Sequence, residues 1–521
     1  MRVASVKRVD GQPTFKETKC WHDSNLDPNI IDFDDKSVYE NVYHQATTRN
    51  AGVFQLTSSG AQRLFARAKP TSITDIAALT SIYRPGPLAA GVDKIYVEAK
   101  ANPEQVKYEH PLVKQVLEKS YGTIIFQESL MELCHVVAGF PKPECDKVRK
   151  NVLKRQAGNK EEAAKKAKAM RDDFVNGAVK NGLAEKTAND LWDKILFFSG
   201  YGFNASHAIS YAIDSYYCAW LLTYFEAEWL CAYMESKVGN PEARGEGISQ
   251  IKSFGYKVGS IDINESDRRW NVSKERKEFI PSFSSAKAVG DAAIDEILSL
   301  RPYKGVKDLL YNDDGSWKHS KFNKRAMEAL IKLCAFESMD IVGPGKMFSS
   351  YKHIHYCIIE NNAQIRKVTK KNQFAGWDFL QELSESTWGM EEWSKLELAN
   401  FALEIIGSVD PQMMIEPKIW DKFQSSGVAS IDEWSQRDVY WFIAVETTPK
   451  KTKNGKDYLS LKAWGTKGEE RRIFVWDWDG KSEIAPLSVC VGEIDKSGFG
   501  MSTKMRKIKI LVSGTLQSEK E

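Results

Sequence analysis

Along this chain of 521 residues the spacing of apolar side chains changes character once, near Val439. No other feature constrains the fold as much. From Val53 to about Ser236 apolar residues recur at helical intervals, whereas beyond Val439 they recur at every second position. The two periods arise from different backbone geometries, so a helical front must give way to a small β end. At roughly 150 residues per domain the length allows three or four domains. Apolar residues make up 42% and charged residues 27%, which excludes a largely disordered or collagen-like chain.

Residues 1–50 are polar and irregular and end in a helical pattern at Lys36–Gln45. Turns punctuate the helical part at Arg84-Pro-Gly-Pro and Gly139-Phe-Pro-Lys-Pro. The spacing predicts an amphipathic helix over Glu161–Asn181, with Met170, Phe174 and Ala178 on one face. Ile209–Met234 is apolar on nearly every side and reads as one helix buried in the domain centre. Residues 239–247 read as a loop, 248–340 as short α/β units and two helix pairs, and 341–430 as helices. Trp377, Trp388, Trp393 and Trp420 in that last region read as core. Val439–Glu446 alternates as a strand, and Asn454-Gly455 marks a hairpin turn into Tyr458–Trp464. Arg471–Trp478, Leu487–Glu493 and Arg506–Leu511 complete five strands, for which an OB barrel is the economical fold. The expected class is therefore multidomain, mainly α-helical, followed by a small all-β barrel.

Lys and Arg total 73 against 70 Asp and Glu, so the net charge of +3 decides little and local charge matters more. The eight cysteines include no CxxC pair and suit reduced thiols, hence a cytoplasmic protein. The first 18 residues lack the apolar core of a signal peptide. The longest stretch free of Asp, Glu, Lys and Arg, Ile195–Ile213, holds Ser199, Asn204, Ser206 and His207, so no membrane span is expected.

Chemistry concentrates at a few places. Lys142–Arg155 carries six basic residues, among them Arg149, Lys150 and Lys154 at one-turn spacing. Converging cations of this kind suit a triphosphate or nucleic-acid backbone, and a solvated helix face accounts for the same charges. Tyr201-Gly-Phe-Asn-Ala-Ser-His207 offers amide, hydroxyl and imidazole donors on a glycine-permitted loop between two apolar helices. A helix connection with a satisfied histidine fits it equally. Arg84 opens the RPGPL turn and reads as structural punctuation or a phosphate contact. His353-Ile-His355-Tyr-Cys357 resembles a metal-ligand cluster, but a second ligand pair is missing, and the alternation reads as a strand or as chance. Gly343-Pro-Gly-Lys346 lacks P-loop spacing. Asp32, Asp34 and Asp35 tempt as metal ligands, yet Asp34 or Asp35 makes a natural cap for the helix that follows.

Several of these stretches coincide with one family. GVFQLTSSGAQRLF (52–65), DIAALTSIYRPGPLAAG (75–91), YGTIIFQESLMELCHVVAGF (121–140), DKVRKNVLK (146–154) and FFSGYGFNASHAISYAIDSYYCAWL (197–221) resemble the fingers of bacterial C-family replicative polymerases. FSSAKAVGDAAIDEI (283–297), YKGVKDLL (303–310) and NKRAMEALIKLCAF (323–336) resemble that family's helix-hairpin-helix region, and ELANFALEIIGSVDP (397–411) the segment before its OB domain. The resemblance implies four regions: a junction at 1–50, fingers at 51–247, a helix-hairpin-helix and clamp-binding-like region at 248–430, and an OB domain at 431–521. By the same resemblance Arg149, Lys150 and Lys154 line the incoming triphosphate, with Asn204, Ser206 and His207 beside the nucleotide. Amides near Lys287 and Gly290 would grip duplex backbone. Trp441, Trp464, Phe474 and Trp476 are the OB aromatics that could stack single-stranded bases, although alternation buries at least half of them.

Departures from the family pattern accompany the match. Leu153 stands where glycine is usual, Ala205 where lysine is, and Ala288 and Cys334 where hairpin-region glycines are. The family's palm, with its three aspartates, precedes the region matched here, so no catalytic residue is expected in this chain. The resemblance thus implies a fingers-to-OB part of a DNA-directed DNA polymerase that binds primer-template DNA and dNTP. A palm-bearing chain would complete it, and Mg²⁺ would be held mainly by that partner. A sliding clamp is a further partner to test, although no QxxLF-type peptide occurs at 341–430. Beginning with Met, the chain suits a split bacteriophage gene product in the host cytoplasm or an expressed fragment. The competing reading is a non-catalytic DNA-binding accessory derived from such a polymerase.

Overall fold

The computed structural model describes residues 6–9, 12–15, 31–154, 160–199, 201–369, 372–407, 414–415, 417–431, 439–452, 454–465, 470–497 and 500–513. They form two compact units that meet in sequence at Glu226/Ala227.

The first unit opens with an antiparallel hairpin, β1 (Val6–Val9) and β2 (Gln12–Phe15), and is otherwise helical. The Asp35 carboxylate accepts from the Ser37 amide and caps Lys36–Val38, as its position before the apolar residues predicts. The elements that matter below are α1 (Ile73–Ile82), α2 (Gln127–Val136), α3 (Lys142–Lys154), α4 (Lys160–Lys180), α5 (Glu185–Ser199) and α6 (Ala205–Tyr224). Phe174 and Ala178 of α4 are fully buried against Leu133 and Cys134 of α2, Cys145 and Val148 of α3, and Trp192 and Ile195 of α5, and Met170 packs at the edge.

The apolar run 209–234 is not one buried helix. It breaks at Phe225 into α6 and a second helix, Glu226–Glu235. Only one face of α6, carrying Ala208, Ala212, Ser215, Tyr216, Ala219 and Leu222, enters the core. Ile209 stays 39% and Tyr224 49% exposed.

In the second unit the expected loop at 239–247 is instead the start of α7 (Pro241–Ser253). Asn240 accepts from the Ala243 amide at 3.2 Å and proline follows at the first helical position, where its missing N–H costs nothing. A three-stranded sheet follows, with β5 (Glu278–Ile280) between parallel β3 (Lys257–Val258) and antiparallel β4 (Asn271–Ser273). It leads into α8 (Asp291–Leu300), the short helix Val306–Leu310 and α9 (Lys324–Lys332), which share one core.

His353–Cys357 is helical, not a strand: Tyr351–Ile354 is α-helix and His355–Glu360 widens into a π turn. His353 is fully buried, its Nε2 2.9 Å from Thr387 Oγ1, while its Nδ1 accepts from the Ser349 amide at 3.1 Å. Of the four tryptophans, Trp393 is core and Trp377 and Trp420 are half-buried. Trp388 is 50% exposed, because it follows the end of its helix, and its Nε1 donates outward to Lys346 O.

The β end is a sheet curled into a half-barrel, ordered β11-β12-β9-β8-β7-β10-β13 with β6 beside β7. Its strands are β6 (Ala429–Ser430), β7 (Val439–Lys451), β8 (Asp457–Trp464), β9 (Glu470–Trp476), β10 (Val489–Glu493), β11 (Asp495–Ser497), β12 (Gly500–Lys504) and β13 (Ile508–Val512). Five of them match the sequence pattern. Strand β12, which pairs parallel to β9, and the short β6 and β11 do not show in it.

Strand β7 also does not alternate as expected, since Tyr440–Ala444 is buried throughout. One face joins the barrel core, and the other packs on α10 (Pro417–Ser426).

Candidate nucleotide and DNA interface

In the first unit the YGFN-x-SH stretch is built onto two other motifs. Phe203 pairs as an isolated bridge with Phe126: the Phe203 amide donates to Ile125 O at 3.0 Å and Phe203 O accepts from the Gln127 amide at 2.9 Å. Gln127 Nε2 adds a bond to Gly202 O at 3.1 Å. Arg84 holds the other side, its Nη2 donating to Tyr201 O at 2.7 Å and its Nε to Ser81 O at 2.9 Å. Its guanidinium lies 4.5 Å from the centre of the Phe203 ring. Burial lowers the Arg84 pKa, though an arginine stays charged. Gly86 of the same turn approaches so closely that a Cβ there would lie 3.0 Å from the Tyr201 ring. RPGPL is thus a short proline-started helix, Pro85–Ala89, whose leading arginine fixes the loop opposite.

Asn204 is the N-cap of α6. Its Oδ1 accepts from the His207 amide at 2.8 Å, and its Nδ2 donates to Glu128 Oε1 at 2.8 Å. Glu128 Oε2 takes the Ala205 amide at 2.8 Å. The positive end of α6 is therefore already matched by a carboxylate. What this loop presents outward is the exposed Ser206 and the exposed His207, whose ring lies 4.2 Å from Tyr211 and 5.5 Å from Phe203. Asn204 orients the loop with both ends of its amide engaged. Nothing in the sequence marks Glu128, because its role exists only once α2 and α6 converge.

Helix α3 carries the basic segment. Cys145 and Val148 face the core, and Lys147 and Lys150 are exposed. Lys150 pairs with Asp146 one turn earlier at 2.6 Å. The side chains of Arg149 and Lys154 lie outside the described residues, as does Arg155.

In the second unit, Gly290 precedes α8 as its N-cap. Of the hairpin amides, that of Lys287 is taken by Ile405 O at 3.0 Å and that of Val289 by Ala286 O at 3.0 Å. This corrects the expectation that the Lys287 amide faces a phosphate; its side chain, with Gly290, is what the hairpin exposes. Asp291 and Asp295, on the first turns of α8, pair with Arg268. Further along, burial would raise the Glu296 pKa. The amides of Ser320, Lys321 and Phe322 outweigh it and hold the carboxyl down to about 2, fixing the loop that leads into α9.

On the half-barrel, register decides which aromatics share the outer face. Ser460 pairs with Phe474, Lys450 with Tyr458, and Lys504 with Trp476. The side chains of Tyr458, Phe474 and Trp476 thus share the outer face of β8 and β9, while Leu459, Leu461, Ile473 and Val475 fill the core. Tyr458 lies 5.0 Å from Trp476 and 6.0 Å from Phe474, and the last two stack at 6.3 Å and 29°. Lys450 and Lys504 flank the trio. Trp464, at the far end of β8, is half-buried and stands apart.

Trp441 is 2% exposed, stacked on Phe423 at 5.4 Å and 3° with Trp420 edge-on. It is a core residue and leaves the candidate list, because β7 is covered on both faces. Tyr458 joins that list through the 5.0 Å approach of its ring to Trp476.

Residues 12–182 match the bacterial DNA polymerase III alpha subunit finger domain, and residues 255–342 match a helix-hairpin-helix motif. The chain is like the C-terminal half of a DNA polymerase III alpha subunit. It is 30% identical over 383 residues to the DNA polymerase III subunit alpha of Campylobacter jejuni, which covers 72% of this chain and 31% of that one. Against the same subunit of Aquifex aeolicus it is 29% identical over 444 residues, 84% of this chain and 35% of that one. Against that of Escherichia coli it is 32% identical over 319 residues, 60% of this chain and 27% of that one. The chain spans about a third of the length of the curated relatives it matches. The similarity supports a DNA polymerase-related function.

Among the described residues no group of three or more His, Cys, Asp or Glu is placed to hold a metal ion. Asp35 caps its helix through the Ser37 amide, and Asp32 Oδ1 accepts from the Asp34 amide. No helix among the described residues is long and apolar enough to cross a membrane.

Proposed function

We propose that this chain is the fingers-to-OB part of a DNA-directed DNA polymerase, completed by a palm-bearing chain that carries the catalytic aspartates and Mg²⁺. The observation that carries the reading is the match to fingers and helix-hairpin-helix models in polymerase order. We assign 51–247 to the fingers, 248–430 to the helix-hairpin-helix and clamp-binding-like region, and 431–521 to the OB domain. The enzyme works in the cytoplasm.

Incoming dNTP meets the exposed faces of Ser206 and His207, with Arg149, Lys150 and Lys154 neutralising its phosphates. Arg84, Asn204 and Glu128 act as positioning residues that hold this loop rigid. Duplex backbone lies along Lys287 and Gly290. Single-stranded template stacks on Tyr458, Phe474 and Trp476, whose outer face supplies rings with Lys450 and Lys504 beside them.

Fluorescence anisotropy with a labelled primer-template tests the reading. A 5′ single-stranded overhang should bind more tightly than blunt duplex, and affinity should fall steeply between about 50 and 200 mM salt. Trp476→Ala should erase the preference for the overhang. Equal binding of both DNAs, or no salt dependence, would remove the support for a template-binding OB face.

A further inference from the structure

Four aromatic rings meet in one ladder at the start of α6. Phe203, His207 and Tyr211 stand four residues apart along the chain, and their ring centres are 5.5 and 4.2 Å apart. Phe54 comes from a segment distant in sequence and completes the ladder, 5.1 Å from Tyr211. The ladder is open to the outside: His207 is exposed, Phe54 is 37% exposed, and Phe203 and Tyr211 are half-buried.

The backbone around Phe54 is held firmly although its ring is not buried. Val53 and Leu56 on either side are fully buried. Gln55 between them adopts φ +68°, a left-handed conformation disfavoured for a residue with a β-carbon. The Leu56 amide closes the turn on Val53 O at 3.1 Å, and Gln62 Nε2 donates to Leu56 O at 2.9 Å. Phe54 O accepts from Ser215 Oγ at 2.8 Å, and that buried hydroxyl lies 3.0 Å from the buried Tyr43 Oη. A strained turn anchored to the core thus keeps a phenyl ring at the surface, and strain of this kind persists where a site uses it.

The chemistry of the ladder selects a flat, aromatic ligand. All four side chains are rings, which gain from stacking on another π-system, and none is a lysine or arginine that would hold a phosphate. A nucleobase has such a face whatever its identity. His207 is both a rung of the ladder and part of the loop read above as the dNTP contact.

We propose that Phe54 and Tyr211 extend the nucleotide site, forming with His207 the face on which the base of the incoming nucleotide stacks. This rests on the reading of Ser206 and His207 as the dNTP contact and adds the residues that hold the base.

Single-nucleotide insertion by the chain mixed with the palm-bearing polypeptide tests the assignment. Phe54→Ala and Tyr211→Ala should each raise KM for dNTP about tenfold or more, the loss expected of one stacked ring, with kcat changed far less. Phe54→Trp should restore KM and Phe54→Leu should not, because leucine keeps apolar bulk but has no π face. Melting temperatures close to wild type show that the variants are folded. The raised KM should persist opposite an abasic template site, where only the incoming base is left to stack.

A wild-type KM in Phe54→Ala, equal rescue by leucine and tryptophan, or disappearance of the effect opposite the abasic site would overturn the base-stacking assignment and leave the split reading standing. Failure of the mixed wild-type chains to extend a primer would overturn the split reading, and the assignment with it.

Discussion

Arg84→Ala separates the two roles an arginine in a polymerase fingers region can play. In the structure its guanidinium serves the protein: one bond to Tyr201 O, one to Ser81 O, and a face over the Phe203 ring. Hydrogen bonds from a charged donor contribute about 1.5 kcal/mol or more each, and a ring contact about 0.5 kcal/mol when partly exposed. Because the side chain is only half-buried, solvent screening brings the sum down to about 2 kcal/mol. That corresponds to about a thirtyfold larger population of the detached loop.

Hydrogen exchange reads this directly. The Phe203 and His207 amides, bonded to Ile125 O and Asn204 Oδ1, should exchange about thirtyfold faster in the variant. The slope of log affinity for DNA against log salt should not change, since no phosphate contact is removed. Unaltered exchange together with a slope reduced by about one would refute the reasoning and make Arg84 a phosphate ligand.

Other expectations follow from burial and register. Tyr458→Ala and Trp476→Ala should each weaken single-stranded DNA binding by about 1–3 kcal/mol with little change in melting temperature. Trp441→Ala should do the reverse, lowering stability by about 3–5 kcal/mol, which denaturant titration measures. Asp75 on α1 is 1% exposed and ion-paired with Lys100 at 2.9 Å. Burial raises its pKa, yet bonds from Thr71, Lys100 and Tyr96 outweigh that and leave it below the usual value of 3.8. Its contribution is therefore full above about pH 4 and lost as pH falls through the lower folded-state pKa. Asp75→Asn should accordingly reduce stability at pH 7 and flatten the acid limb of a stability-pH curve; an unchanged acid limb would show that Asp75 does not drive it.

Much of this architecture was legible because long periodic segments are dominated by burial. The Phe174 and Ala178 face of α4, the Asp35 cap and the Asn454-Gly455 hairpin all follow from local rules. Where sequence reasoning went astray, a local signal had two meanings or a tertiary neighbour decided. Glycine and proline at 239–247 suggested a loop, although Asn240-Pro241 is equally a helix start. Trp441 looked like half of an alternating strand because α10, which covers its outer face, cannot be seen from β7 alone. The same blindness hid Glu128, whose partners are 76 and 77 residues away in sequence. At the candidate site the motif was visible, but its division of labour was not: Arg84 and Asn204 brace the loop, and Ser206 and His207 face outward.

Primer extension tests the central claim most directly. The chain and a palm-bearing polypeptide are assayed separately and together on a primed template with dNTPs and Mg²⁺. Extension by the mixture that neither chain gives alone, reduced by His207→Ala, is the predicted result. Full extension by this chain alone would contradict the split, and a mixture unaffected by loss of both Arg149 and His207 would assign it to a non-catalytic DNA-binding role.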